Sequence, residues 1–241
     1  AMGQQHIDVV MARLKRMGVD VDLKEPKVPY RETISKTFST SYRHKKQTGG
    51  AGQFAEVHLR VGPRPRDTGF EYEWKVFGGA ISTSFKPSVA KGVRQVLEKG
   101  GIAGCLVVDL RAIVFDGKEH PVDSKDIAFQ IAGQKAFRKA FKQCRPVLLE
   151  PIVKMAISVS QEHIGDIMGD LNSRRAQIMA TDMKGSAATI EALAPMAEIQ
   201  SYQAQLKAMT RGEGSYTIVF DHYDVVPAMI QKQVLEASGN G

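Results

Sequence analysis

The chain has 241 residues, a length typical of one large domain or of two to three small ones, and 43% of them are hydrophobic. No apolar run reaches the roughly 18 residues that a membrane-spanning helix needs. The N-terminus does not show the basic-then-apolar pattern of a secretory leader. These features argue against a helical membrane protein and predict a cytoplasmic protein with no membrane partner.

The net charge of +7 is unevenly distributed along the chain. Residues 1–28 carry +1, residues 29–148 carry +10 and residues 149–241 carry −4. This asymmetry predicts that the middle segment meets a polyanion. On charge alone, a solvated basic surface is an equally good interpretation.

The two cysteines and six histidines do not follow a metal-binding pattern. Cys105 and Cys144 are not part of a C-x-x-C pair, and each lies in an apolar segment. Buried free thiols are therefore a better interpretation than a disulfide or a metal ligand. We predict no metal site.

The first predicted elements are a helix over residues 3–17 and a half-buried strand over residues 19–23. Apolar residues recur through the helix at helical spacing, at Ile7, Val10, Met11 and Leu14. One helix and one strand cannot bury their apolar faces alone. We therefore expect this piece to be the end of a domain whose first half is missing.

After a linker over 24–29, the middle segment alternates strands and helices. Strands are predicted over 32–42, 54–61, 70–77 and 105–115. Helices are predicted over 87–99, with Val89, Val93, Val96 and Leu97 on one side, and over 124–143. Either Asp123 or Ser124 is the expected N-cap of the second helix.

Residues 146–151, which begin and end with proline, are interpreted as a second boundary. The order that follows is strand, helix, strand, strand, helix, strand, which is the split unit of a ferredoxin-like fold. These elements are predicted over 152–159, 163–171, 176–181, 187–193, 195–206 and 215–220. Ile199, Tyr202 and Leu206 have the spacing of core residues. A last helix is predicted over 224–236.

The first segment that could carry chemistry is a glycine-rich loop between two predicted strands. Its residues are Gln47, Thr48, Gly49, Gly50, Ala51, Gly52 and Gln53. A nucleotide-binding P-loop would need Gly-Lys-Ser/Thr at the start of a helix, so that interpretation is rejected. Because Arg43, His44, Lys45 and Lys46 precede the glycines, we favour a hairpin tip for a nucleic-acid backbone. A plain glycine-rich turn is the alternative.

The second segment follows the strand predicted over 105–115 and centres on a histidine. Its residues are Gly117, Lys118, Glu119, His120, Pro121, Val122 and Asp123. A hydrolase would use His120 as a general base, oriented by Asp116 or Asp123, but no serine or cysteine nucleophile accompanies it. If RNA is the partner, an exposed histidine can stack on a base or donate to a phosphate.

The third segment, residues 165–175, places Gly165 and Gly169 on one face of a predicted helix. We expect close packing against a sheet to compensate for two glycines in a helix interior. Asp166 and Asp170 are interpreted as a solvated face near the positive end of the helix, in preference to acid–base carboxylates.

Taken in order, these motifs resemble the C-terminal part of elongation factor G over nearly the whole chain. Residues 1–28 resemble the end of its third domain, through Met2-Gly3-Gln4-Gln5-His6. Residues 29–148 resemble its fourth domain, through Tyr30-Arg31-Glu32-Thr33, the loop 47–53 and Val122-Asp123-Ser124. Residues 149–225 resemble its fifth domain, through Leu149-Glu150-Pro151, the run 165–175 and Phe220-Asp221-His222-Tyr223. Residues 226–241 would be a C-terminal helix and tail.

The resemblance implies an α+β fold. A ribosomal protein-like β-α domain would be followed by a ferredoxin-like βαββαβ domain, with a partial α/β piece at the N-terminus. The fourth domain of the family reaches the decoding centre, and its two tip loops correspond to 47–53 and 117–123. His120 matches the tip histidine beside the messenger–transfer RNA duplex. The fifth domain contacts large-subunit RNA, which makes Arg174, Arg175 and Lys207 candidate contacts.

The implied partners are the ribosome, through the RNA of both subunits, transfer RNA and messenger RNA, and the chain is expected to be a monomer. The GTPase domain of the family is missing from this chain, so we expect no hydrolysis and no cofactor here. GTP and magnesium would belong to that N-terminal domain of a longer parent protein.

Several residues depart from the family pattern and indicate an elongation factor G-like paralogue. They are Ala51, Ala176, Ser201, Lys207 and Glu213, the last of which would repel a phosphate. The leading hypothesis is a translocation factor. Ribosome recycling and displacement of a ribosome-bound drug are the close alternatives, and a stand-alone RNA-binding module is the alternative of another class.

Overall fold

The structure is a computed structural model that describes residues 4–22, 26–47 and 52–237. Six helices lie in these ranges: α1 (Gln4–Arg16), α2 (Lys86–Lys99), α3 (Asp126–Gln143), α4 (Ile164–Ser173), α5 (Tyr202–Met209) and α6 (Ala228–Ala237). Short 3-10 turns precede three of them, at Thr83–Phe85, Gln161–His163 and Met196–Ile199. Across the described ranges, no helix is both long and apolar enough to span a membrane.

Ten strands form two sheets, as the predicted mixed α+β class requires. They are β1 (Arg31–Ile34), β2 (Phe38–Lys46), β3 (Gln53–Pro63), β4 (Phe70–Trp74), β5 (Leu106–Val107), β6 (Leu110–Lys118), β7 (Pro146–Ser160), β8 (Gln177–Lys184), β9 (Ala187–Pro195) and β10 (Ser215–Val225). The four-stranded sheet has the order β2-β3-β6-β4. The six-stranded sheet has the order β5-β1-β7-β9-β8, with β10 paired to β7.

Helices α2 and α3 pack together over the four-stranded sheet. In β3 every second residue from Ala55 to Val61 is fully buried, as a strand with one covered face requires. The predicted apolar side of α2 is confirmed, because Val89, Val93, Val96 and Leu97 are all in this core. The two helices approach closely at glycines: a Cβ added to Gly92 would lie 2.1 Å from the Gln130 carbonyl oxygen.

One end of the four-stranded sheet, called here the tip end, collects several chain segments. The β2–β3 hairpin closes there, with Lys46 paired to Gln53. Strand β6 ends there, since Lys118 pairs with Glu56 near the start of β3. Because β4 runs parallel to β6, the chain also leaves β4 at this end. The tip end is therefore built from three loops.

Strands β10-β7-β9-β8 and helices α4 and α5 form the predicted ferredoxin-like unit. The predicted core residues Ile199, Tyr202 and Leu206 are confirmed, with exposures of 3%, 0% and 1%. Strand β7 runs through residues 146–151 without a break. Its first residues pair with β1, and from residue 149 onward it pairs with β10. The stretch interpreted as a boundary is thus a shared strand; the domain limits remain predictions.

Two predicted strands are each divided in the structure. The run 32–42 becomes β1 and β2, because the amide N–H groups of Ser35 and Lys36 bond to the Cys144 carbonyl instead of a strand. The run 105–115 becomes β5 and β6. Between them Asp109 has a φ of 56°, and its carboxylate accepts the N–H of Gly69 at 3.0 Å.

Three other predicted elements were wrong in part. Residues 19–22 are not a strand, and residue 23 lies outside the described residues. The helix predicted over 195–206 is a 3-10 turn followed by α5. The last helix begins at Ala228, later than predicted, because Asp224 and Val225 still pair with β7.

Two local explanations were also wrong. A Cβ added to Gly165 or Gly169 would meet nothing within 4 Å, so these glycines face open space and do not pack against a sheet. Helix α3 has Lys125 at its N-cap, without a side-chain cap. The apolar face of α1 is only partly covered within the described residues, where Ile7 and Val10 are 39% and 48% exposed.

Candidate nucleic-acid interface

The β2–β3 hairpin presents the first predicted loop at the tip end. Lys45, Lys46 and Gln47 are exposed. The His44 ring bonds through Nε2 to the Gln53 side chain at 2.9 Å, which closes the end of the hairpin. Thr48, Gly49, Gly50 and Ala51 lie outside the described residues. The described part of the loop is therefore a basic, solvent-facing hairpin end.

The second predicted loop, between β6 and α3, is fastened to the hairpin. The Phe54 N–H donates to the Asp123 carbonyl at 2.9 Å. The Ser124 hydroxyl donates to the Phe54 carbonyl at 2.8 Å and accepts the His120 N–H at 2.9 Å. The Asp123 backbone and the Ser124 side chain thus join the two loops by hydrogen bonds to Phe54. These bonds explain why neither Asp123 nor Ser124 caps α3.

Gly52 lies against the Asp123 side chain at this junction. A Cβ added there would lie 2.5 Å from an oxygen of the Asp123 carboxylate. A larger residue would displace this carboxylate from its position. The sequence signalled a turn at this glycine, but the neighbour that excludes a side chain comes from a loop some 70 residues further along.

His120 is half exposed and held in one orientation. Its Nδ1 accepts the N–H groups of Val122 at 3.3 Å and Asp123 at 3.1 Å. An acceptor Nδ1 fits the tautomer in which Nε2 carries the proton. Within the described residues Nε2 has no hydrogen-bond partner, so this N–H faces outward as a donor.

The geometry argues against the hydrolase alternative. The Asp116 carboxylate lies 3.8 Å from His58 and so pairs with a different histidine. Asp123 lies 3.6 Å from His120 Nδ1, which is beyond hydrogen-bond reach. The Ser124 hydroxyl already donates and accepts. These residues do not form a nucleophile–base–acid relay.

A third segment at the tip end, residues 76–82, was missed by the sequence analysis. Its Ser82 N–H donates to the Glu119 carboxylate at 2.8 Å, and Ile81 lies against Gly117. Phe77 is 85% exposed on this segment. The pair Gly78-Gly79 is the sequence feature that could have indicated this loop. Both glycines have a positive φ, and they follow the strand predicted over 70–77.

Glu32 is a second residue that the sequence analysis did not interpret. Its carboxylate is fully buried and accepts four backbone N–H groups, from Gly101, Ile102, Ala103 and Cys105, at 2.8 to 3.0 Å. This carboxylate shapes the loop between α2 and β5. It supports the fold beyond the C-terminal end of α2, which is the helix end far from the tip.

The candidate arginines of the ferredoxin-like unit are engaged in internal ion pairs. Arg174 bonds to Asp170 at 2.8 Å. Arg175 forms two hydrogen bonds with Glu150, at 2.7 and 2.9 Å, and a third with Glu198. The Glu150 hydrogen bonds raise the pKa of Arg175 above its ordinary value. These pairs give both arginines a structural role, whereas the third candidate, Lys207, is exposed.

Neither cysteine has a disulfide partner. Burial raises the pKa of the Cys144 thiol to about 11, and it also raises the pKa of the half-buried Cys105. The side chains of Glu162, His163 and Glu213 lie within 4.8 Å of one another. Two of these three are exposed acids, an arrangement that is common without a metal, and the predicted absence of a metal site stays a prediction.

Two family models match the chain in succession. Residues 26–145 match elongation factor G, domain IV, and residues 147–234 match the elongation factor G C-terminus. Domains of these two kinds, in this order, define the C-terminal region of a translation elongation factor. The chain belongs to the elongation factor G family.

Individual relatives agree with this assignment. The chain is 43% identical over 237 residues to an elongation factor G-like protein of Thermotoga maritima and 42% identical over 238 residues to elongation factor G of Granulibacter bethesdensis. These matches cover 98% of the chain but only 35% and 34% of the relatives. A crystal structure from Thermus thermophilus superposes with a TM-score of 0.87 at 38% identity, covering 99% of this chain and 36% of that one. The chain thus spans about a third of the length of the relatives it matches.

Proposed function

We propose that this chain is the ribosome-binding C-terminal region of an elongation factor G-type protein. In this proposal it promotes the movement of transfer RNA and messenger RNA by inserting its tip end into the decoding centre. The observation that carries the proposal is the outward-facing donor of His120, held by Val122 and Asp123 and flanked by exposed lysines.

The proposed mechanism is steric and electrostatic. The tip end occupies the space that a transfer RNA vacates and so blocks its return. Lys45, Lys46 and Lys118 face solvent, where each can neutralise a phosphate of the surrounding RNA. The His120 Nε2–H can donate to a phosphate, a 2′-hydroxyl or a base edge. No residue of the tip end has to break a covalent bond.

We propose further that GTP hydrolysis, with its magnesium ion, belongs to a part of the parent protein outside these 241 residues. The sequence contains no Gly-Lys-Ser/Thr, which a phosphate-binding loop needs. GTP hydrolysis would then set when the movement occurs, and the tip end would block the return of the transfer RNA. The cytoplasm, where ribosomes work, is the compartment that this role requires.

The test is a chimera in which this chain replaces the matching third of an active elongation factor G. In single-turnover translocation, His120→Ala should slow the rate about tenfold or more, the loss expected for one hydrogen bond to a charged partner. His222→Ala is the matched control, because the His222 side chain is 41% exposed and lies on β10, outside the tip end. An unchanged rate for His120→Ala contradicts the proposal, and a chimera that binds ribosomes without moving transfer RNA favours recycling.

A further inference from the structure

The positive charge of residues 29–148 is distributed differently on the two faces of the domain. On or next to the strands, three cations are paired with neighbouring acids. Arg43 pairs with Glu56 at 2.6 Å, and both Lys75 and Arg111 pair with Glu73, at 2.6 and 3.2 Å. These pairs reduce the free positive charge of the strands, where Lys45, Lys46 and Lys118 at the tip end remain exposed.

Helices α2 and α3 carry eight lysines and arginines but two acids, a net charge of +6 over 32 residues. The cations are Lys86, Lys91, Arg94, Lys99, Lys135, Arg138, Lys139 and Lys142. All are exposed except Arg138, which is partly buried. Within the described ranges, none of them has a carboxylate oxygen within 4.0 Å. The two helices thus hold eight cations of the domain that lack an ion pair among the described residues, in addition to the lysines of the tip end.

These cations lie on two helices that pack side by side, and their side chains together are called here the helix surface. The helix backbones touch where Gly92 of α2 lies against Gln130 of α3. Lys99 of α2 lines a cavity of about 590 Å³ together with Arg138 and Lys142 of α3. A second groove, of about 650 Å³, is lined by Lys86, Lys91 and Arg94 along the outer side of α2.

The position of the helix surface separates it from the two tip loops. Both helices begin at the tip end, where the Ser88 hydroxyl of α2 bonds to Asp126 of α3. The 14 residues of α2 span about 20 Å, so its cations extend from Lys86 at that end to Lys99 at the far end. The cavity with Lys99 and Lys142 lies at the far ends of the helices. A ligand on this surface would thus contact the flank of the domain.

We propose that the helix surface is a second RNA-binding site, which takes the sugar–phosphate backbone of ribosomal RNA while the tip end occupies the decoding centre. The proposal deepens the proposed function and rests on it, because the ribosome supplies the RNA. Several cations without an acidic partner can each neutralise one phosphate of such a backbone. A protein partner fits less well, because lysine is depleted from protein–protein interfaces.

The experiment uses the 241-residue chain, purified 70S ribosomes and, separately, protein-free ribosomal RNA, in co-sedimentation across a salt series. Two test variants are Lys91→Glu with Arg94→Glu, and Lys99→Glu with Lys142→Glu. The matched control is Arg66→Glu with Arg211→Glu, which makes the same charge change at exposed sites outside the two helices and the tip end. A tip variant replaces Lys45 and Lys46 with glutamate.

Each test variant should bind both probes more weakly at low salt. The slope of log K against log salt should fall by about 0.9 for each phosphate that the variant no longer neutralises, so by nearly 2 for a double variant. The control should keep the slope of the unaltered chain. Equal weakening of test and control variants overturns the inference, because bulk charge would then be the cause.

Other outcomes separate this inference from the proposed function. If the tip variant loses binding but both helix variants keep it, the tip proposal stands and the helix surface is not a site. If the helix variants lose binding to ribosomes but not to protein-free RNA, the partner is a ribosomal protein and the inference is wrong. If the unaltered chain binds neither probe, both proposals fail.

Discussion

At the residue scale, the most informative side chain outside the tip is Glu32. Its buried carboxylate accepts hydrogen bonds from four backbone N–H groups instead of from water. The loop between α2 and β5 is folded around it. From the sequence this residue was only part of a family motif. Nothing local to Glu32 indicates that its partners lie about 70 residues away.

Glu32→Gln should destabilise the protein, because the amide offers one acceptor oxygen and forces an N–H group against backbone donors. We expect a loss of about 1 to 3 kcal/mol in the free energy of unfolding, measured in urea. Glu71→Gln is the control, since its pair with Arg64 is partly exposed and should be worth under about 1 kcal/mol. Equal losses would contradict the role assigned to Glu32.

The two thiols should differ in reactivity. Only the thiolate reacts with iodoacetamide, and burial raises the pKa of Cys144 to about 11, which leaves very little thiolate at about pH 8. Cys105 is partly exposed and should be alkylated first. Mass spectrometry of peptides over time measures both rates. Faster modification of Cys144 would mean that its segment opens readily.

At the element scale, replacing the glycine at two helix positions should have opposite effects on stability. Gly92→Ala should destabilise the protein, because the new methyl group would collide with the backbone of α3 at Gln130. Gly169→Ala is a matched change in α4, where the methyl group would meet open space. It should stabilise the protein by up to about 1 kcal/mol through helix propensity. Thermal unfolding of both variants checks the signs, and destabilisation by Gly169→Ala would contradict the account.

The ion pairs around Arg175 fasten the turn after α4 to strand β7. Arg175→Ala leaves Glu150 buried without its partner, since the Glu150 side chain is only 3% exposed. We expect a loss of about 3 kcal/mol in the free energy of unfolding. Lys184→Ala removes a pair whose side chains are 86% and 66% exposed and should change little. A small loss in the free energy of unfolding for Arg175→Ala would contradict this structural role. It would favour the RNA contact that the family pattern implies for Arg175.

Elements with strong apolar periodicity could be predicted from the sequence, whereas features set by partners distant in sequence could not. Helix α2 and the ferredoxin-like order followed from apolar spacing, which is local information. The breaks at 35–37 and 108–109 did not, because they depend on Cys144 and Gly69, which are distant in sequence. The tip residues could likewise be identified from the sequence. The hydrogen bond between Ser124 and Phe54 could not, because the two residues are distant in sequence.

At the scale of the whole molecule, β7 joins the two structural units. It pairs with β1 at one end and with β10 along most of its length, so the six-stranded sheet spans both units. Further contacts lie beside it: Arg31 stacks over the Tyr223 ring at 4.0 Å, and the Tyr223 hydroxyl donates to the Pro29 carbonyl. The two units are thus joined by one continuous hydrogen-bonded sheet.

The most direct test of the central claim is hydroxyl-radical probing from single cysteines on the 241-residue chain bound to 70S ribosomes. Cys105 and Cys144 are replaced, and an iron chelate is attached either to Val122→Cys at the tip end or to Met229→Cys on α6, sites that are 77% and 79% exposed. If the tip end enters the decoding centre, the small-subunit RNA should be cleaved there from residue 122 and at other sites from residue 229. The same cleavage pattern from both positions, or none at the decoding centre from residue 122, would contradict it.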